Sequence, residues 1–220
     1  MNTHRCPLTR ATRPSDGLSA LHPPYPSMKS LKRLEGSTSL KNIMSNTFLI
    51  SDLHLGHIGV TRFLNNDGSK LRPYTSVESM DEALIENWNS VVRVNDTVYN
   101  LGDVVINRKA LPTLARLNGI KILVKGNHDV FRLEEYTLYF KDIRGVGELD
   151  NFVLTHVPVH PASLERWKGN FHGHLHSHRV RRENGAVDER YLCMSVEHIN
   201  YTPIALEDAK KLFEAQQPTS

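Results

Sequence analysis

An α/β (α+β) fold is predicted by three features of the sequence. After residue 44, short β-rich runs alternate with stretches of helical period. Each run ends in a turn rich in Gly and polar residues. The composition, 39% hydrophobic and 23% charged over 220 residues, suits one globular domain of ordinary core size. The pattern is clearest at 121–129, Lys-Ile-Leu-Val-Lys-Gly-Asn-His-Asp. An apolar strand stops at Gly126, and Asn127, His128 and Asp129 follow at once. A packed strand can in this way carry a carbonyl oxygen, an imidazole and a carboxylate to the mouth of a pocket.

Residues 1–43 come first and read differently. They are rich in Pro, Ser, Thr and Arg, with no sustained apolar period, so they cannot bury enough surface to offset their ordering entropy and are expected to be disordered. They resemble an organelle transit peptide faintly, and Met44, just before the first strand, is the alternative start. This stretch carries net +5 of the chain's +3, which leaves 44–220 at about −2. The folded part therefore lacks the basic footprint of a nucleic-acid binder, and any such contact would fall to the tail. No apolar run approaches the roughly 20 residues that span a bilayer. Cys6 and Cys193 are too few for a disulfide framework; they read as reduced thiols of a cytoplasmic protein.

The domain is expected over 44–215, with a tail at 216–220. Thr47–Ser51 is the first strand, followed by Asp52-Leu-His-Leu-Gly-His. Thr75-Ser-Val-Glu78 matches a capping box, and the next helix sets Val77, Met80, Leu84, Trp88 and Val91 on one apolar stripe, read as core. Strands follow at Thr97–Leu101 and Ile120–Lys125, separated by a helix over Leu111–Leu117 with Pro112 near its start and Gly119 past its end. Phe131–Tyr139 is read as a short helix and Phe152–Thr155 as a strand ending at His156. Asn170–Phe171 precedes Gly173-His-Leu-His176; Tyr191–Val196 is a late strand and Leu206–Phe213 the last helix.

Polar residues recur at one kind of place, the carboxyl end of a strand. Asp52 and His54 follow the first strand, Asp103 the second, Asn127-His128-Asp129 the third, His156 the fourth, and His174 with His176 the fifth. In open sheets ligands gather outside those ends. The mixture of imidazole and carboxylate suits Mn²⁺, Fe or Zn²⁺ better than an all-oxygen Mg²⁺ or Ca²⁺ cage. There are too many candidates for one tetrahedral ion; two ions sharing a carboxylate would use them.

Asp52-x-His54, Gly102-Asp103, Gly126-Asn127-His128-Asp129, His156 and Gly173-His174-x-His176 resemble, in order, the motifs of the calcineurin-like metallophosphoesterases. The resemblance spans residues 47 to about 213, and is greatest to the compact bacterial and phage-type members, although Gly59 stands where those often carry Asn. It implies a four-layer αββα sandwich of two mixed sheets with two divalent ions at its edge, Mn²⁺ favoured and Fe, Zn²⁺ or Ni²⁺ the alternatives. It assigns Asp52, His54 and His176 to one ion, Asn127, His156 and His174 to the other, and Asp103 to both. His128 is carried over as a catalytic residue and Asp129 as its orienting partner. A hydroxide shared by two ions would attack phosphorus in line, with His128 serving the leaving oxygen.

Protein serine/threonine phosphatases of the superfamily carry Asp-Arg-Gly soon after Gly-Asp; here Val-Val-Ile-Asn-Arg follows Asp103. The expected substrate is accordingly a phosphodiester or nucleotide. A monoester, a dinucleoside polyphosphate, or a non-catalytic metal-binding module are the alternatives. His57, His160, His178 and Arg179 are the candidate substrate contacts.

Overall fold

The computed structural model describes residues 45–218. The expectations for residues 1–43 and for Met44 lie outside them. The described strands are β1 (Thr47–Ile50), β2 (Thr97–Asn100), β3 (Ile120–Val124), β4 (Asp142–Arg144), β5 (Gly147–Leu149), β6 (Phe152–Thr155), β7 (Gly169–His172), β8 (Tyr191–Cys193) and β9 (Ile204–Ala205). The helices are α1 (Val77–Val91), a single turn α2 (Leu133–Tyr136) and α3 (Leu206–Ala215).

The strands form two mixed sheets, in the orders β4-β3-β2-β1-β9 and β5-β6-β7-β8. In the first, β1 to β4 are parallel and β9 runs against β1; in the second, β6 to β8 are parallel and β5 runs against β6. Past β8, Ser195 forms a parallel bridge to Ser51, which ties the second sheet to the end of β1.

Strand alternation builds the layers. Phe48 and Ile50 of β1 pack with Val98 and Leu123 against Met80, Leu84, Ile85 and Trp88 of α1. Leu49 faces the other way, joining Val124, Phe152, Leu154, Phe171 and Leu192 between the sheets. Leu206, Ala209 and Phe213 of α3 enter that middle layer. The far face of the second sheet, through Val153 and Tyr191, is covered by Leu164 and Trp167 at a 3-10 turn over Pro161–Arg166. The αββα order is present, with this outer layer reduced to a turn.

Several expectations needed correction. Ser76, not Thr75, caps α1: Ser79 N–H donates to Ser76 Oγ at 3.1 Å, and Ser79 Oγ returns a contact to Ser76 N–H at 3.2 Å. The buried face of α1 includes Ile85, while Val91 is 36% exposed. Each apolar side chain buried there contributes about 1.5–3 kcal/mol against about 1 for the cap, so packing holds the helix and the cap sets where it begins. The helix expected at Leu111–Leu117 is a 3-10 run over Arg108–Arg116, capped by Asn107, whose side chain accepts from Lys109 N–H. Pro112 in its middle has no N–H for an α-type bond. Gln216 and Gln217, expected in the tail, donate side-chain bonds to the Glu189 carbonyl, and Gln216 also to that of Tyr191.

Candidate metal centre

The parallel strands bring their carboxyl ends to one edge, and the loops beyond them stay zipped. Asp52 N–H donates to the Gly102 carbonyl and His54 N–H to that of Asp103, both at 3.0 Å; Gly173 N–H donates to the His156 carbonyl at 2.9 Å. Two clusters result. Asp52, His54 and His176 offer one ligand atom each within 4.8 Å of one another, and so do Asp103, His156 and His174. His54 Nε2 is 3.7 Å from both Asp52 Oδ1 and Asp103 Oδ2, so the two triads adjoin. Asn127, the remaining expected ligand, places Oδ1 at 2.9 Å from His156 Nε2.

The backbone here is unusual. Asp52 (φ 59°), His54 (52°), Asp103 (55°), His174 (71°) and His176 (50°) all lie in the left-handed region, five of the seven expected ligands. Each non-Gly residue held there costs on the order of 1 kcal/mol, so the surrounding structure must impose it. Close packing does so. A Cβ on Gly126 would fall onto Asp103 Oδ1, and one on Gly173 onto Ser51 Oγ and within 2.5 Å of Asp52 Oδ2.

The donor set fits a cation. Asp52 Oδ1 and His54 Nε2 are buried and lack hydrogen-bond partners, which is costly unless a positive charge satisfies them. Asp52 Oδ2 is committed elsewhere, accepting from His174 N–H at 2.9 Å and Ser195 Oγ–H at 2.8 Å. Burial alone would raise the Asp52 pKa; the His54 imidazole 3.7 Å away and those of His156 and His176 reverse this and hold it well below the carboxylate range. Burial pulls His54 down, towards the neutral form a cation needs. For His156 burial acts downward too, but the bond to Asp103 outweighs it and the pKa rises. His156 Nδ1 faces the Leu101 carbonyl at 2.8 Å, which can only accept, so Nε2 is the nitrogen aimed at Asp103 and Asn127.

His128 is exposed, with its ring centroid 5.7 Å from that of His54 and its N–H donated to Asp103 Oδ1 at 2.8 Å. Its ring lies beside His54 and belongs to neither triad. The expected role of Asp129 as its partner is corrected. Asp129 is fully buried, and its carboxylate accepts from the backbone N–H groups of Asp103 (2.9 Å), Val104 (3.0 Å) and Gly126 (2.8 Å). It fastens the β2 and β3 loops together.

Of the candidate substrate contacts, His57 stacks on His54 with centroids 5.3 Å apart, and burial lowers its pKa to about 4. His178 lines a cleft of about 310 Å³ with His174, His176, Phe63 and Leu64. Arg179 lines a different hollow, with Tyr191 and Cys193. His160 caps the 3-10 turn, its Nδ1 accepting from Ala162 N–H at 3.2 Å.

Four residues that sequence reasoning missed also shape the site. Ser195 holds Asp52 Oδ2; Asp81 accepts from Gly56 N–H at 3.0 Å within the first motif. Arg72, fully buried, donates to the Asp52 and Leu53 carbonyls and to Glu197, which in turn meets His176. None belongs to a motif. Burial of an arginine was the one available signal, and it exists only in three dimensions.

Taken in chain order, the strand-end motifs and the two-sheet sandwich at whose edge they converge give the arrangement that the resemblance to the calcineurin-like metallophosphoesterases implies. The chain belongs to the family of the uncharacterized protein MJ1445 of Methanocaldococcus jannaschii, with 35% identity over 180 residues, 78% of this chain and 93% of that one. The gene 66 protein of Mycobacterium phage L5 is 37% identical over 91 residues, 39% of this chain and 41% of its own. Among solved structures, AQ665 of Aquifex aeolicus, a protein of unknown function, superposes with a TM-score of 0.56 at 25% identity, covering 76% of this chain and 99% of that one. No protein-family model matches the chain. Among the described residues, no helix is long and apolar enough to cross a membrane.

Proposed function

We propose that this chain is a dinuclear-metal phosphoesterase, with phosphodiesters or nucleotides as its preferred substrates and the cytoplasm as its compartment. The observation that carries the reading is the pair of adjoining triads with the unpartnered, buried Asp52 Oδ1 and His54 Nε2 between them. Asp52, His54 and His176 would hold one cation. Asn127, His156 and His174 would hold the other, and Asp103 would face both. Mn²⁺ is the favoured ion on the imidazole and carboxylate mixture. Two such cations would supply Lewis-acid polarisation of the phosphoryl oxygens and acidify a water.

The chain's own groups do the rest. His128, exposed beside His54, is placed to give a proton to the departing ester oxygen, the part of a general acid. Its backbone is fixed by Asp103, and the Asp103 loop is fixed by Asp129, so the acid keeps its distance from the triads. The cleft beyond His174 and His176 offers Phe63, Leu64 and His178 to the ester substituent. The loops lack the protein-phosphatase Asp-Arg-Gly, which favours a small substrate.

The test is to screen the Mn²⁺-loaded protein against aryl monoesters, linear and cyclic diesters, and dinucleoside polyphosphates, with Asp103→Asn as the control. Diester cleavage lost in that variant supports the reading. Preference for monoesters or polyphosphates moves the substrate class and keeps the chemistry. Cation binding without turnover of any ester would make the chain a non-catalytic module.

A further inference from the structure

We infer that Arg72 and Glu197 form a buried clamp that sets the geometry, and with it the cation affinity, of one triad alone: Asp52, His54 and His176. The inference rests on the metal reading above.

Four separated segments meet at this clamp. The Arg72 guanidinium is fully buried; Nη2 donates to the Asp52 carbonyl at 2.6 Å, Nη1 to the Leu53 carbonyl at 2.9 Å, and Nε to Glu197 Oε1 at 2.8 Å. A planar fork of fixed geometry can hold two adjacent carbonyls and a carboxylate together; a lysine ammonium cannot match that arrangement. The carbonyls it holds belong to the turn in which Asp52 and His54 take left-handed backbone, so the fork restrains the strained turn from behind.

Glu197 transmits the restraint to the third ligand. Its Oε1, already bonded to Arg72, lies 3.0 Å from His176 Nδ1. A carboxylate only accepts, so His176 donates Nδ1–H and keeps Nε2 as the nitrogen with a free lone pair. Oε2 is buried with no hydrogen-bond partner, so the hydrogen bonds that hold the carboxylate are those to Arg72 and His176.

The second triad is oriented by other groups. His156 is set by the Leu101 carbonyl, Asp103 by the His128 amide and His174 by its own amide on Asp52. No described hydrogen bond joins these three side chains to Arg72 or Glu197. The clamp therefore acts asymmetrically: removing it should loosen one position and spare its neighbour.

The experiment is a Mn²⁺ titration of the metal-stripped full chain by calorimetry, with bound metal counted after equilibrium dialysis. The proteins are wild type, Glu197→Ala, Glu197→Gln and Arg72→Lys. Wild type should bind two ions per chain. Glu197→Ala and Arg72→Lys should each weaken one of them by about 10–100-fold, the usual cost of losing such a supporting partner, and leave the other unchanged. Glu197→Gln should lose less, because its amide oxygen can still accept from Nδ1–H. The spared position serves as an internal control for folding, and where the alanine variant does not fold, the glutamine and lysine variants carry the comparison. Equal weakening of both ions, or of neither, overturns the clamp while leaving the metal reading intact. Failure of the wild type to bind any ion overturns both.

Discussion

The carboxylate of Asp129 holds the backbone amide of Asp103 at 2.9 Å across 26 positions of sequence, and the amides of Val104 and Gly126 share the same two oxygens. Asp129→Ala would leave three buried N–H groups unpartnered at about 1–3 kcal/mol each, less what the loops recover by shifting. The expected loss is about 3–5 kcal/mol in urea unfolding, with weaker cation binding at the Asp103 triad. A residue that acted only on His128 would leave the unfolding midpoint where it was.

His128 gives the opposite pattern. It is exposed and belongs to neither triad. His128→Ala should keep both ions and the wild-type melting temperature while losing about 10²–10⁴ in the rate of aryl phosphate cleavage, the range for a general acid. Asp103→Asn should lose activity and bound metal together. Turnover by His128→Ala equal to the wild type's would remove His128 from the chemistry.

Close approach makes two glycines indispensable. Gly126→Ala would drive a methyl group into the Asp103 carboxylate, and Gly173→Ala into Ser51 and Asp52. Overpacking of this kind costs about 1–3 kcal/mol, and here the displaced atoms are candidate ligands, so metal content should fall further than stability does. Paired thermal melts and metal counts on the two variants would separate the effects.

The pH dependence of stability should carry a signature of Asp81. Burial raises its pKa from 3.8 to about 6, against the bond from Gly56. A carboxyl with a raised folded pKa binds more protons when folded, so stability declines as pH climbs from about 4 to about 6 and is then constant. Because Asp81 is only half-buried, solvent screening reduces the effect to the order of 1 kcal/mol. Asp81→Asn, whose amide oxygen can still accept from Gly56, should be the more stable protein at pH 7.5 and lose that advantage by pH 4.5. Urea midpoints of the two proteins at both pH values give the comparison; a gap that does not change with pH would exclude Asp81 as its source.

Burial pushes the Cys193 thiol up to about 12. At pH 8 only about one thiol in 10⁴ would be thiolate. Iodoacetamide should therefore leave Cys193 unmodified in the native protein and label it fully in urea, as read by peptide mass spectrometry.

The parts of this molecule that sequence made legible are those with strong local signals. The central strands carried apolar runs, α1 a stripe of apolar residues, and the strand-end motifs a fixed order of ligand-type side chains. The strands that escaped, β4, β5 and β9, are three, three and two residues long and all lie at sheet edges, where few residues alternate and little is buried. At the site, ligand-type residues were readable and their supports were not. Arg72 and Glu197 lie 125 positions apart, and their pairing depends on chain paths that no local pattern encodes. Asp129 misled for a related reason: standing next to His128 in sequence, it points its carboxylate to the backbone of the β2 loop and of its own.

The left-handed backbone at Asp52, His54, Asp103, His174 and His176 sets the molecule's stability against its chemistry. Glycine would relax the backbone at every one of these positions, and where the side chain makes no described hydrogen bond, as at His174, exchanging the candidate ligand for glycine should raise the unfolding temperature of the metal-free protein. A library selected for heat resistance alone would then discard such ligands first, and yield hardier scaffolds with less left at their edge to bind an ion.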